Sequence, residues 1–139
     1  MATREELIDL LSGLALFADL SRPQLEAVVH RLEEEYFAAG QRILRQGFSG
    51  GSLYIILEGE AAVSIDGTQR SVLGKGDFFG EISLLLGEPP IADVVALRPL
   101  RCLSLPGPEL AEFLLAYPHV AYRMLQAEAR RLRTTSLWR

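Results

Sequence analysis

Between Gly40 and Gly76 the chain never runs more than eight residues without meeting another glycine: Gly40, Gly47, Gly50, Gly51, Gly59, Gly67, Gly74 and Gly76. A glycine inside a helix costs about 1 kcal/mol relative to alanine. Spacing this tight leaves room for short strands joined by turns. The side chains between the glycines agree. Leu53, Ile55 and Leu57 alternate with Tyr54 and Ile56, and Ala61, Val63 and Ile65 alternate with Glu60, Ala62 and Ser64. That is the period of two of half-buried strands. Asp66-Gly67 lies between two such runs and is a strong signal for a two-residue hairpin turn. The segment 36–105 therefore reads as a sandwich, roll or barrel whose pairing order is not set by these patterns.

The flanks follow another rule. Thr3-Arg4-Glu5-Glu6 has the form of a capping box, and Leu7, Leu10, Leu11 and Leu14 follow at helical spacing. Gly13 and the stretch 16–19 suggest a break. Ser21-Arg22-Pro23-Gln24 is a second capping box, with proline where a first turn tolerates it. Leu25, Val28, Val29 and Leu32 continue one apolar face, which is expected to end near Glu33 to Glu35. After Leu105, Gly107-Pro108-Glu109 opens another helix with Leu110, Phe113 and Leu114 inward. Pro118 breaks that helix or starts the next. Val120, Ala121, Met124, Leu125, Ala129 and Leu132 then form a stripe on a last helix.

A chain of 139 residues suits one domain, assigned here to 1–139. Its longest apolar runs fall far short of the roughly 20 residues that span a bilayer. The N-terminus has no signal-peptide core, so a cytoplasmic location is the default expectation. A net charge of −4 argues against a general nucleic-acid binder. The arginines of the last helix read as a solvated end that complements the helix dipole. Only two histidines exist, His30 and His119, both in the helical flanks. This argues against a cupin-like metal centre or a Ser-His-Asp site in the β region, and no catalytic residues or metal ligands are assigned. The single cysteine, Cys102, sits in an apparent strand and reads as a small buried residue.

The informative stretch runs from Gly76 to Asp93. Gly80-Glu81-Ile82-Ser83 reads as a tight turn opening one or two turns of helix, where unpaired backbone N–H groups suit an anion. Gly80 would leave room for a ligand to approach the backbone, and Ser83 is small enough to do the same. Around it lie Leu16-Phe17-Ala18-Asp19-Leu20-Ser21, the stretch from Ala39 to Gly47, the stretch from Leu53 to Gly59, and Phe79-Gly80-Glu81-Ile82-Ser83-Leu84-Leu85. In this order and spacing they resemble the cyclic-nucleotide-binding domain family, as in the bacterial catabolite activator and the regulatory subunit of the cAMP-dependent kinase. The resemblance covers about Leu16 to Leu132.

The resemblance implies an α+β fold, a double-stranded β-roll (jelly-roll-like) with flanking N- and C-terminal helices: helices over 3–34, roll over 36–105, helices over 108–135. It implies a non-enzymatic regulatory sensor with no cofactor, whose ligand is cAMP or cGMP. Phe79, Gly80, Glu81, Ile82 and Ser83 would line the ligand, with backbone contacts from Gly80, Ile82 and Ser83. Glu81 would accept a hydrogen bond from the ribose 2′-hydroxyl. The other reading of Glu81 is a charge favouring a helix start.

The second half of the ligand segment, Pro90, Ile91, Ala92 and Asp93, departs from the family. Pro90 stands where the family has its phosphate-gripping arginine, and it has neither a charge nor an N–H. Asp93 adds a negative charge, as do Asp77, Glu81 and Glu88. Arg70, Arg98 and Arg101 are the candidates for a substitute cation. Trp138 is a candidate lid over the base. The alternative is a degenerate member that binds another small ligand or a protein. Partners would be the nucleotide, and a protein or second copy docking through the C-terminal helices. No helix-turn-helix DNA-binding domain and no membrane segment is expected within these residues.

Overall fold

Eight short strands form two four-stranded antiparallel sheets in the computed structural model, which describes residues 3–134. The strands are β1 (Glu33–Phe37), β2 (Arg42–Leu44), β3 (Ser52–Glu58), β4 (Ala61–Ile65), β5 (Thr68–Leu73), β6 (Phe78–Phe79), β7 (Asp93–Ala96) and β8 (Leu100–Pro106). One sheet has the order β1-β8-β3-β6, the other β2-β7-β4-β5. Neighbours in each sheet are therefore mostly distant in sequence. The five α-helices are α1 (Arg4–Ser12), α2 (Arg22–Val29), α3 (Glu81–Leu86), α4 (Leu110–Ala116) and α5 (Pro118–Arg133). This is the α+β double-stranded β-roll with helices at both ends. Packing divides the chain into a β unit, residues 30–111, and a helical unit, residues 3–29 with 112–134.

In the β unit, one apolar cluster draws on both sheets: Leu44, Ala61 and Val94 from one, Ile56, Phe79 and Cys102 from the other. The hairpin between β4 and β5 turns at Asp66 (φ 51) and Gly67 (φ 80). Both residues have positive φ, as the two-residue primed turn requires. Leu53, Ile55 and Leu57 are buried as their alternation suggests, but so is Ile56. β3 is an interior strand covered on both faces, and its register with β8 slips after Ile56.

One boundary differs from the sequence reading. Glu33 to Glu35 do not end a helix; they open β1 and pair with Ser104, Leu103 and Cys102 of β8. Local propensity argues against a run of three glutamates in a strand. Pairing with β8 overrides it, and Arg101 supplies a countercharge. Its Nε donates to Glu34 Oε2 at 2.6 Å and its Nη1 to Glu58 Oε1 at 2.8 Å. Burial works against the charge on Arg101, yet these two carboxylates raise its pKa above the usual arginine range. Burial likewise opposes the Glu34 carboxylate, but hydrogen bonds from Tyr36 and Arg101 hold its pKa below the ordinary value. The roll thus spans Glu33–Pro106, slightly wider than the expected 36–105.

In the helical unit both capping motifs form. Thr3 Oγ1 accepts from the Glu6 amide at 3.1 Å. At α2 the exchange is reciprocal: Ser21 N donates to Gln24 Oε1 at 2.8 Å and Gln24 N to Ser21 Oγ at 3.3 Å. Pro118 starts α5. The apolar stripe on α5 is shorter than its spacing suggests. Val120 and Met124 are buried, whereas Leu125 is 64% exposed and Leu132 51% exposed. Arg123 grips Asp19 through two nitrogens, at 2.7 and 2.9 Å. Among the described residues, no helix is long and apolar enough to cross a membrane.

Candidate ligand-binding cassette

The segment that the sequence singles out lies within the β unit and has two parts. Its head begins with β6, whose Phe78 and Phe79 pair with Ile55 and Tyr54 of β3. Phe79 is buried and stacks on Tyr54 with ring centroids 5.1 Å apart, while Tyr54 meets Phe37 edge-on at 5.9 Å. This aromatic series anchors the head to the sheet. Gly80 follows in the left-handed region (φ 93), and α3 runs for six residues to a second left-handed glycine, Gly87 (φ 68).

The structure gives a steric reason for glycine at position 80. A Cβ there would overlap the carbonyl oxygen of Ser52 on β3. The missing side chain makes room for a strand of the same chain. Glu81 is only 2% exposed and is the acidic residue of the first turn of α3, where its charge suits the helix start. Ser83 turns its hydroxyl back to the Gly80 carbonyl at a long 3.4 Å. Ile82 is 42% exposed. Asp77, counted above among the unwelcome charges, is taken up locally: its Oδ2 accepts from the Gly74 amide at 2.8 Å.

The tail runs from Glu88 to Asp93. Pro90 is buried, and its carbonyl accepts from the Gly47 amide at 2.8 Å. Ile91 is exposed and Ala92 is buried. Asp93 opens β7, opposite Ser64 of β4, and its Oδ1 accepts from the Gln46 amide at 2.7 Å. The Gln46 side chain reaches on to Asp66 in the hairpin turn. Gln46 Nε2 donates to Asp66 Oδ1 at 2.9 Å, and the Asp66 amide donates to Gln46 Oε1 at 3.1 Å. Gln46 escaped the sequence reading. Gly47 signalled a turn beside it, but nothing local joins position 46 to position 66 or 93.

The candidate substitute cations fare unequally. Arg101 is held by Glu34 and Glu58, which removes it from the list. Arg98 pairs with Glu60 at 3.2 Å. Arg70 lies on the exposed β5 and forms no ion pair among the described residues. Among the described residues, no hydrogen bond or ion pair joins any of the three to Pro90 or Asp93. Trp138 lies outside the described residues. Cys102 is fully buried, and burial, helped by the charge of Glu35, pushes its thiol up to about 12. No group of three or more His, Cys, Asp or Glu side chains among the described residues is placed to hold a metal.

The chain is similar to known proteins over most of its length. It is 38% identical over 120 residues to a cGMP-dependent protein kinase of Toxoplasma gondii, covering 86% of this chain but 12% of the kinase. The chain therefore spans a small part of that relative. Its fold matches the catabolite activator protein of Thermus thermophilus with a TM-score of 0.76 and 28% identity, over 88% of this chain and 60% of that one. It also matches a mutant regulatory subunit of a cAMP-independent protein kinase A from Trypanosoma brucei, with a TM-score of 0.75 and 28% identity. That match covers 96% of this chain and 48% of the other, and the mutant, one of whose three substitutions is threonine to arginine, is bound to cAMP in its A site. The family profile of the cyclic nucleotide-binding domain matches residues 34–117, and the chain belongs to that family.

Proposed function

We propose that this domain is a non-catalytic regulatory module whose cassette binds cAMP and cGMP far more weakly than a cassette with its arginine intact. Phe79 to Ser83 would meet the ribose and phosphate, with Glu81 on the ribose hydroxyl, and Pro90 to Asp93 would flank the phosphate without a cation. The observation that carries this reading is the state of the tail. Pro90 is buried with its carbonyl on the Gly47 amide, and the Asp93 carboxylate faces the Gln46 amide. Both tail groups are engaged by the chain's own backbone.

The expected deficit is large. A hydrogen bond to a charged group contributes about 1.5–3 kcal/mol, and leaving a buried charge without its partner costs about 3–5 kcal/mol. At about 1.4 kcal/mol per tenfold, the deficit is roughly a hundred-fold to a few thousand-fold in affinity. The Trypanosoma relative is a cAMP-independent kinase subunit that is cAMP-bound in a triple variant, which removes a glutamate and a valine and introduces an arginine; this is in keeping with a role for charge at the ligand site.

Calorimetric titration of the domain with cAMP and cGMP, with a melting curve alongside, tests this. No heat and no melting shift at micromolar ligand is expected for the natural chain, with both appearing in the Pro90→Arg, Asp93→Thr variant. Ligand at 100 times its Kd should stabilise that variant by about 2.7 kcal/mol. Saturable micromolar binding by the natural chain would overturn the deficit. No binding by the double variant would mean that the segment is not a nucleotide cassette. The exposed Leu125 and Leu132 on α5 favour a second reading, a protein or second copy docking on that helix. A concentration-dependent mass in sedimentation would support the self-pairing form.

A further inference from the structure

Three segments far apart in the sequence meet at one residue, Gln46, through its main-chain amide on one side and its carboxamide on the other. Gln46 follows β2, Asp66 sits in the β4–β5 turn 20 residues later, and Asp93 closes the cassette tail 47 residues away. Four hydrogen bonds of 2.7 to 3.1 Å join them. Gln46 N donates to Asp93 Oδ1 at 2.7 Å, and the next amide, Gly47 N, donates to the Pro90 carbonyl at 2.8 Å. The Gln46 carboxamide then donates to Asp66 Oδ1 at 2.9 Å and accepts from the Asp66 amide at 3.1 Å.

We propose that Gln46 is the positioning residue of the cassette tail: it fixes residues 90–93 in one arrangement by tying them to the β4–β5 turn before any ligand arrives. This rests on reading residues 90–93 as part of the ligand segment. The chemistry of the carboxamide explains why glutamine suits the post. It presents a donor and an acceptor side by side, and Asp66 offers the matching acceptor and donor. A glutamate there would set carboxylate against carboxylate, and a leucine would satisfy neither group.

The local backbone is shaped for the same purpose. Gly47 has φ 84, and the turn closes with Phe48 N donating to the Arg45 carbonyl at 3.1 Å. Successive amides in such a turn converge on acceptors on one side. Asp93 and Pro90 supply those acceptors. At the other end, Asp66 is the only non-glycine residue with positive φ among the described residues. Aspartate tolerates that conformation, and the bond from its amide to Gln46 holds it there. The tail and the hairpin turn are thus tied to the same residue, the tail through its main-chain amide and the turn through its carboxamide.

Backbone amide exchange followed by NMR on residues 1–139, with no ligand added, reads this coupling directly. Asp93→Ala should speed exchange at Gln46, and also at Asp66, by several-fold to about tenfold, the range of one hydrogen bond. Asp66→Gly keeps the turn's positive φ without strain, removes the side-chain acceptor, and should speed exchange at Gln46. Gln46→Ala and Gln46→Glu should both speed exchange at Asp66. If Asp93→Ala changes Gln46 alone, or if Asp66→Gly leaves Gln46 unchanged, the tie does not carry position and the proposal fails. Were Asp93→Ala to unfold the roll, Asp66→Gly would decide alone. No nucleotide enters the measurement, so its outcome is separate from whether the arginine-restored cassette binds cAMP or cGMP.

Discussion

Residues 78–87 and 88–93 are consecutive in the chain, but different partners hold them. The head is fixed by β3: Phe78 and Phe79 pair with it, and Gly80 packs against its Ser52 carbonyl. The tail is fixed by the loop after β2, through the Gln46 and Gly47 amides. At Gly80 the strand beneath the head leaves no room for a side chain. The tail has proline at position 90, and its Pro90 carbonyl and Asp93 carboxylate take internal hydrogen bonds. Two neighbouring stretches of one segment are thus held by different parts of the roll.

The largest test of this contrast is in the tail. Pro90→Arg with Asp93→Thr should raise affinity for cAMP or cGMP by roughly a hundred-fold or more, read by calorimetry. Pro90→Arg alone should recover less, because Asp93 keeps its charge near the phosphate. Equal gains from the single and double changes would show that Asp93 is electrostatically neutral to the ligand.

In the head the corresponding change acts on stability. Gly80→Ala combines a left-handed backbone with an overlap on Ser52, and should cost about 2–4 kcal/mol in chemical denaturation. A cost below about 1 kcal/mol would mean that β3 yields easily. Asp93→Ala should cost less, about 1–2 kcal/mol. Ser83→Ala should cost least, below about 0.5 kcal/mol, since its 3.4 Å hydrogen bond is weak.

Cys102 separates head damage from tail damage. Its thiol lies in the core that Phe79 shares, and burial raises its pKa from 9.0 to about 12. Alkylation at pH 8 should be slow in the natural chain, faster in Gly80→Ala, and little changed in Asp93→Ala. The same shift gives a sign for pH. Below pH 9 the thiol is protonated in both states and its contribution to stability is complete; as pH rises towards 12 the unfolded chain ionises first and stability falls. A Cys102→Ala variant with an unchanged alkaline slope would remove the thiol from that account.

Much of this was legible in the sequence where neighbours in the chain are neighbours in space. The Asp66-Gly67 turn, the capping boxes at Thr3 and Ser21, the helix opening after Gly80 and the start at Pro118 all rest on local geometry. The glutamates at 33–35 misled because their strand exists only through pairing with β8. The α5 stripe misled because helical spacing shows which residues share a face, not how much of that face is covered.

By itself, the sequence determined the family, the succession of helix, roll and helix, and the absence of arginine from position 90. Each follows from residue types at short range. Only the tertiary structure decided that Gly80 makes room for Ser52, that Arg101 is occupied by Glu34 and Glu58, and that Gln46 holds Asp93. Those are contacts across 28 to 67 residues of chain, set by strand order, and no local pattern encodes strand order.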